Sequence, residues 1–350
     1  MYKLGTMLLR SLPAETAHNI TIKALEAGLG PMAKAVPSSA LSVSVGGLDL
    51  PNPVGLAAGF DKNAQVPAAM LAAGFGFVEC GTVTPRPQVG NPKPRLFRLR
   101  EDRAVINRMG FNNGGLEAFK NRLQNRQSSK GLIGANLGAN KDSDDRIGDY
   151  LTGLSALWGL PDYFTVNISS PNTPGLRGLQ EAGAMDDLLG RISETRSNLA
   201  NNSPSVPIFL KVAPDLDFAQ IDRIVEQART YGMNAIIVSN TTIARPESLK
   251  SVQRTESGGL SGAPLFEAST EILKEFASAA NGTIDLIGVG GIETGAQAYA
   301  KIKAGAKAVQ LYSALVYHGP ALVMEIRRDL LALLKADGFS TLEEAVGTAL

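Results

Sequence analysis

Two patterns of apolar positions divide the chain near residue 40. In the first part Leu4, Met7 and Leu8 recur at helical spacing. Pro13, just behind Ser11, reads as the start of a second helix, because proline fits a first turn and serine a cap. That helix sets Ala17, Ile20, Ala24 and Ala27 on one side and Ile22, Leu25 and Leu29 on another. Its only charges are Glu15, Lys23 and Glu26, so its apolar surface is broad rather than confined to one stripe. Gly28, Gly30 and Pro31 end it, and Val36-Pro37-Ser38-Ser39 reads as a linker.

From about residue 41 the pattern changes to short, continuous apolar runs separated by helical stretches. Eight runs stand out: Pro53–Ala57, Phe75–Cys80, Leu132–Leu137, Tyr163–Ile168, Ile208–Val212, Ala235–Val238, Leu286–Val289 and Ala308–Tyr312. Continuous apolar strands alternating with helices predict a parallel sheet covered by helices. Eight such units predict a closed (β/α)8 TIM barrel, here with an N-terminal helical extension. The expected units are residues 1–36 for the extension and 41–340 for the barrel. The long gap between the second and third runs must hold an insertion, including Asn107–Gly115.

Polar residues and glycines cluster at the ends of these runs. Lys62, Thr82, Asn136, Asn167, Ser170, Lys211, the Ser239-Asn240-Thr241 segment, Gly290, Gly291, Tyr312 and Ser313 all fall there. In a barrel these ends meet on the one face where active sites form. The ordinary polarity of loops would give a weaker version of the same pattern.

Composition narrows the chemistry. Of 350 residues, 44% are hydrophobic and 19% charged, which suits a large core. The net charge of +1 gives no reason to expect a nucleic-acid partner. Cys80 is the only cysteine, which excludes an internal disulfide or a cysteine-held iron–sulfur cluster within the chain. His18 and His318 are the only histidines, so a multi-histidine metal site is not expected. No apolar run reaches the roughly 18 residues of a spanning helix. The first ten residues, interrupted by Arg10, are too short for a signal peptide. An organic cofactor is the expected source of any difficult chemistry.

The segment Ile287-Gly-Val-Gly-Gly-Ile-Glu-Thr-Gly295 follows the seventh run and opens a helix. Glycines let backbone N–H groups approach an anion, and a barrel's usual phosphate site lies after strands seven and eight. Ser257-Gly-Gly-Leu-Ser-Gly262 either completes that pocket or is a flexible loop. Lys211, inside the apolar run Ile208–Ala213, reads either as a cation beside a flavin edge or as half of a barrel ion pair. Lys62, in Gly59-Phe-Asp-Lys-Asn63, reads as a site residue or a solvated loop charge. Asn167-Ile-Ser-Ser-Pro-Asn-Thr-Pro-Gly-Leu-Arg177 is either a rigid capped turn or a set of amides and hydroxyls gathered at one spot. No histidine lies near it in sequence, so Ser170 is not expected to belong to a nucleophilic triad.

These segments, with Asn52–Lys62, Gly81–Pro85, Pro94–Leu99, Ile106–Asn112, Ser239–Thr242, Gly258–Pro264 and Gly288–Gly291, resemble dihydroorotate dehydrogenase. The resemblance spans essentially the whole chain, in the family's order. It implies oxidation of dihydroorotate to orotate in pyrimidine synthesis, with one FMN per chain. Ser170 is implied as the base, where the soluble class has a cysteine. Thr173 and a water would relay its proton, and Phe111 would shield the site. Lys62, Asn107, Arg108, Met109, Gly110, Phe111, Asn167, Asn172, Asn240 and Thr241 are implied as substrate residues. The FMN site would be lined by Ala57, Ala58, Gly59, Thr82, Asn136, Asn167, Lys211, Ser239, Ser261, Gly262, Gly290, Gly291, Tyr312 and Ser313. Ser239 stands where several relatives have threonine, and its contact is expected through the backbone. Cys80, where relatives have an aliphatic residue, is expected to be a small core residue.

The N-terminus separates the classes. Residues 1–36 look like the helix pair with which the quinone-dependent class docks on a membrane and leads ubiquinone or menaquinone to the flavin. Without the resemblance, a helix packed on the barrel would explain them too. His18, Arg98 and Tyr312 match the quinone-site pattern, though a lone histidine on an apolar helix is often simply a packed one. The resemblance implies a monomeric peripheral membrane protein, on the cytoplasmic face of the inner membrane if bacterial. The rivals are a soluble dihydroorotate dehydrogenase using fumarate or NAD, another FMN barrel such as a hydroxyacid oxidase, and a nucleotide-binding barrel without catalysis.

Overall fold

The computed structural model describes residues 9–33, 39–126, 131–201 and 203–350. Leu4, Met7, Leu8 and most of the expected linker, Val36 to Ser38, lie outside the described residues. A short antiparallel hairpin, β1 (Val43–Val45) and β2 (Leu48–Leu50), precedes the barrel. In chain order there follow β3 (Val54–Leu56), β4 (Phe77–Val83), β5 (Leu96–Leu99), β6 (Ala104–Asn107), β7 (Leu132–Leu137), β8 (Tyr163–Asn167) and β9 (Ile208–Val212). The last four are β10 (Ala235–Val238), β11 (Gly259–Gly262), β12 (Asp285–Val289) and β13 (Ala308–Leu311).

Eight of these strands close into a parallel barrel in the order β3-β4-β7-β8-β9-β10-β12-β13. Each of the eight apolar runs becomes one barrel strand. The second run is the most displaced, since β4 continues through Gly81 and Thr82 to Val83. The insertion between β4 and β7 folds as the β5–β6 hairpin. It is joined by β11, which pairs Gly259 with Asn107 and Leu260 with Ile106. The glycine-rich segment around Gly259 is therefore a strand and not a flexible loop. A small separate core of Phe97, Leu99, Ala104, Ile106, Leu249 and Leu260 holds this second sheet together.

The barrel interior is filled by aromatic rings set against glycines. Tyr163 stacks on Phe209 with ring centroids 4.6 Å apart, and Phe77 meets Tyr163 edge-on at 6.4 Å. A Cβ at Gly55 would overlap the Phe77 ring, and one at Gly134 the Tyr163 ring. Large and small residues thus alternate around the layer, as a filled barrel requires.

The N-terminal helix spans Ala14–Glu26. Pro13 itself is the N-cap, and no side chain caps that end, so the expected cap by Ser11 is not formed. The helix is fastened to the insertion by charge. Glu15 accepts from Arg95 at 2.6 and 3.2 Å and lies 3.6 Å from Lys93. At the far end Gln65 donates to Glu26 at 2.8 Å. Ala17 and Ile22 are buried, whereas Ile20, Leu29 and Met32 are exposed, the last two at 70% and 87%.

The ring-over-glycine layer gives a direct test. Gly134→Ala inserts a methyl group into the Tyr163 ring, and such overpacking costs about 1–3 kcal/mol. The unfolding midpoint in urea should fall accordingly, with an unchanged slope.

Candidate active site

A cavity of about 800 Å³ opens at the C-terminal ends of the barrel strands and runs outward beneath the Ala14–Glu26 helix. Its floor rests on Glu79, a fully buried carboxylate in the middle of β4. One oxygen of Glu79 accepts from Asn136 at 2.7 Å and lies 3.8 Å from the Lys211 ammonium. The other accepts from Gln310 at 2.9 Å, Thr165 at 3.1 Å and Tyr163 at 3.4 Å. Strands β7, β8, β9 and β13 all converge on this one group. Burial lowers the Lys211 pKa, and the Glu79 charge opposes that shift. The two alternatives for Lys211 therefore coexist: it forms a barrel ion pair and it lines the cavity.

The floor is wired to the walls. Asn136 accepts from Thr82 at 2.6 Å and from Asn167 at 3.1 Å, and Asn167 also donates to Thr82. The Asn167 side-chain Oδ1 accepts from the Ser169 hydroxyl at 2.7 Å, and the Asn240 amide donates to Ser169 Oγ at 2.9 Å. Asn240 then accepts from the Thr241 backbone at 2.7 Å. Arg177 staples the two loops together, donating to the carbonyls of Ser169 and Thr241 at 3.1 and 3.0 Å. Ser170 Oγ accepts from the Asn172 N–H at 3.2 Å, and the Asn172 amide donates to Asn107 at 3.2 Å. The turn beyond β8 thus gathers amides and hydroxyls at one spot and is not merely a rigid loop.

Lys62 reaches the same cavity. Asp61 shapes its loop by accepting the N–H groups of Gln65 and Val66, each at 2.8 Å. Burial, then the nearby Arg95 cation, brings the Lys62 ammonium down to about 8, against the pull of Glu15 and Asp61. Accessible surface alone makes Lys62 only half-buried, but that surface belongs to the cavity rather than to bulk water. Lys62 is therefore not a solvated surface charge.

At the opposite end lie Gly262, Gly290 and Gly291, all at positive φ (97°, 114° and 73°). A side chain on Gly291 would collide with the backbone of Phe266, and one on Gly262 with the carbonyl of Arg103. The hydroxyls of Ser261 and Ser313 sit 2.8 Å apart beside them. The outer arm is apolar, walled by Leu9, Ala14, Ala17, Ile20, Leu25 and Leu29. Where it meets the inner cavity, Phe60 packs edge-on against both His18 and Tyr312 at 5.6 Å. The Tyr312 hydroxyl lies 3.4 Å from His18 Nδ1. Burial, reinforced by Lys62, drives the His18 pKa down to about 3, and burial drives Tyr312 up to about 12. Both are neutral at ordinary pH.

The cavity brings together most of the residues singled out in the sequence, including Ala57, Ala58, Gly59, Met109, Gly110, Phe111 and Ser239. Three stand apart. Asn136 is wholly buried beneath the wall and acts on Thr82 and Asn167. Thr173, three residues after Ser170, is buried, with a hydroxyl that has no hydrogen-bond partner among the described residues. Arg108, expected among the substrate residues, instead pairs with Glu256 at 2.8 Å and stacks over Phe97. Arg98 lines the cavity, but its guanidinium is engaged by the carbonyls of Leu9, Arg10 and Leu12. Cys80 is a buried core residue whose pKa burial raises well above its ordinary value.

Sequence reasoning missed Glu79 and Gln310. The available signal was Glu79 itself, a charge inside an apolar run, matched by the opposite charge of Lys211 three barrel strands later.

A closed barrel with a glycine-lined end, a buried lysine and an amide cluster in one cavity is the layout of a (β/α)8-barrel enzyme that can hold an anionic organic cofactor. A sequence profile described as dihydroorotate dehydrogenase matches residues 40–334. The chain belongs to the dihydroorotate dehydrogenase family. It is 52% identical to a protein of Parvibaculum lavamentivorans named dihydroorotate dehydrogenase (quinone), over 99% of this chain and 98% of that one. Another of that name, from Erythrobacter litoralis, is also 52% identical over 99% of each chain. Among solved structures, DHODH from Eimeria tenella in complex with ferulenol superposes with a TM-score of 0.92 at 38% identity, over 95% of each chain. The ligand-free form gives 0.91 at 39%, covering 96% of this chain and 99% of that one.

The floor yields a prediction. Glu79→Gln keeps the shape but strands the Lys211 ammonium, and removing one partner of a buried pair costs about 3–5 kcal/mol. Chemical denaturation should show a loss of that order, whereas Glu256→Gln, which breaks the half-exposed pair with Arg108, should cost under about 1 kcal/mol.

Proposed function

We propose that this chain oxidises (S)-dihydroorotate to orotate in pyrimidine (UMP) synthesis, with one FMN as hydride acceptor and a membrane quinone as final electron acceptor. The observation that carries this is a single cavity joining Ser170 and its amides to the glycine end and to an apolar outer arm.

The residues present fit FMN. The glycine end offers a surface where side chains would collide, suited to a phosphate held by backbone N–H groups. Lys211 supplies a cation and Thr82, Asn167 and Ser239 supply polar groups for the ring. Bound there, FMN would supply a two-electron acceptor for the C6 hydride.

The chain's own residues do the rest. Lys62 neutralises the substrate carboxylate, while Asn107, Asn172, Asn240 and Thr241 bond the ring. Ser170 removes the C5 proton. A serine hydroxyl is a weak base, so it needs somewhere to send its own proton. The Asn172 N–H on Ser170 Oγ favours charge growing on that oxygen. The Thr173 hydroxyl, buried and without a partner among the described residues, relays the displaced proton together with a water that carries it out to solvent. Phe111 covers the site, with Gln88 holding the carbonyls of Gly110 and Phe111 at 3.1 and 3.2 Å.

Quinone enters by the outer arm. Neutral His18 and Tyr312 offer hydrogen bonds to its carbonyls, and Arg98 holds the chain at the mouth. Ile20 and Leu29, exposed and lining that arm, with exposed Leu12 and Met32 to either side of the helix in sequence, suit the surface of a bilayer. Among the described residues no helix is long and apolar enough to cross one. Residues 1–36 form the docking unit and 41–340 the catalytic barrel of a peripheral, monomeric protein, on the cytoplasmic face of the inner membrane in a bacterial cell.

Stopped-flow reduction by dihydroorotate tests the base. Ser170→Ala should slow bound-flavin reduction by about 10²–10⁴-fold, and an undiminished rate rejects the assignment. Reoxidation of the reduced protein should be fastest with a ubiquinone analogue. Preference for fumarate or NAD would overturn the quinone reading.

The pH dependence has a definite sign. Lys62 loses its charge as pH rises through about 8, so KM for dihydroorotate should climb above that pH. The bound carboxylate raises the Lys62 pKa, so kcat should fall only at higher pH. In Lys62→Met the KM should be high throughout and lose this inflection.

A further inference from the structure

We propose that Lys301 is a positioning residue behind the cofactor's phosphate, an enclosed ammonium that braces both walls of the glycine end and makes the site favour a phosphorylated flavin over riboflavin. This rests on the FMN reading above. Lys301 lies on the helix Gly295–Lys303, immediately after the glycine segment, and is fully buried. Its ammonium donates to Ser269 Oγ at 2.8 Å and to Thr270 Oγ1 at 3.1 Å. The ammonium also faces the Phe266 ring, 5.3 Å from Nζ to centroid. Among the described residues no carboxylate pairs with it, and exposed Glu267 acts only from a distance. An ammonium in such a place, solvated by two hydroxyls and a ring, is undercompensated.

The hydroxyls pass its influence on. A hydroxyl that accepts from an ammonium must turn its own proton outward. Ser269 directs it to the carbonyl of Gly290 or of Phe266, each at 3.1 Å, and Thr270 to that of Phe266 at 2.7 Å. Gly290 belongs to one wall of the glycine end. Phe266 begins the 15-residue helix Phe266–Ala280, directly after the other wall's Leu265, and packs against Gly291. In a trans peptide the N–H points opposite to the C=O. Turning the Gly290 carbonyl back onto Ser269 therefore directs the Gly291 N–H away from it, on the cavity side. A dianion there would be met by that N–H and would supply the charge Lys301 lacks. Burial brings the Lys301 pKa down to about 7, so its charge near neutrality responds to an anion arriving nearby.

The test compares two flavins on the full-length holoenzyme. Wild type, Lys301→Met and Ser269→Ala are loaded with FMN or with riboflavin, diluted, and followed by recovery of free-flavin fluorescence. Lys301→Met should speed FMN release about tenfold, the scale of one charge acting near a helix N-terminus, and leave riboflavin release within about twofold. If Lys301→Met does not fold, Ser269→Ala carries the test, with faster FMN release and unchanged riboflavin release expected. Equal acceleration of both flavins would mean a purely structural role and overturn the proposal, as would no effect on either. Wild-type protein that retains neither flavin would defeat the FMN reading itself, a result distinct from both.

Discussion

Glu79 sits fully buried inside the barrel, and five side chains turn toward its two oxygens. A buried carboxylate is tolerable only when its lone pairs are satisfied and its charge is met. Satisfying it fixes the rotamers of Asn136 and Lys211. Asn136 then fixes Thr82 and Asn167, and Asn167 fixes Ser169 and through it Asn240. One chain of hydrogen bonds thus runs from the barrel floor to the loops that carry Ser170 and Thr241. Such preorganised polar groups need not rearrange when charge develops in a reaction.

The remainder of the cavity is built by a different principle. Its outer arm is closed by a helix that the barrel does not grip with a full apolar face. Glu15 with Arg95, Glu26 with Gln65, and three carbonyls on Arg98 hold that helix near its ends. Between these fastenings it roofs an apolar space. A polar, wired inner chamber and a greasy, loosely roofed outer one meet at Phe60, His18 and Tyr312. A charged pyrimidine and a lipid-soluble quinone can therefore use one flavin without sharing a binding surface.

Much of this was legible in the sequence, for identifiable reasons. Strands buried on both faces leave continuous apolar runs, so all eight barrel strands could be read directly. The strand ends carried most of the cavity residues because the barrel geometry gathers them. What could not be read depended on contacts distant in the chain. Gly259–Gly262 has the composition of a loop and becomes a strand only because the β5–β6 hairpin lies alongside it. Arg108 is one of several arginines in the insertion, and only the fold turns its side chain to Glu256. Ser11 has the right chemistry for a cap, but Pro13 already occupies that position. Glu79 lies within an apolar run, and its role depends on partners that come from four other strands.

The manner in which the roof is fastened also bears on how such a protein can change over time. The side chains that line its underside, such as Ala14, Ala17 and Ile20, sit between the fastenings, and Ile20 remains largely exposed. Replacing Ile20 or Ala14 alters the shape offered to a lipid-soluble guest while leaving the wired chamber untouched. The inner chamber has no such latitude, since each group there is also a neighbour's support. Drift in the outer chamber can therefore re-tailor the protein to a new lipid-soluble electron acceptor while its metabolic task stays fixed.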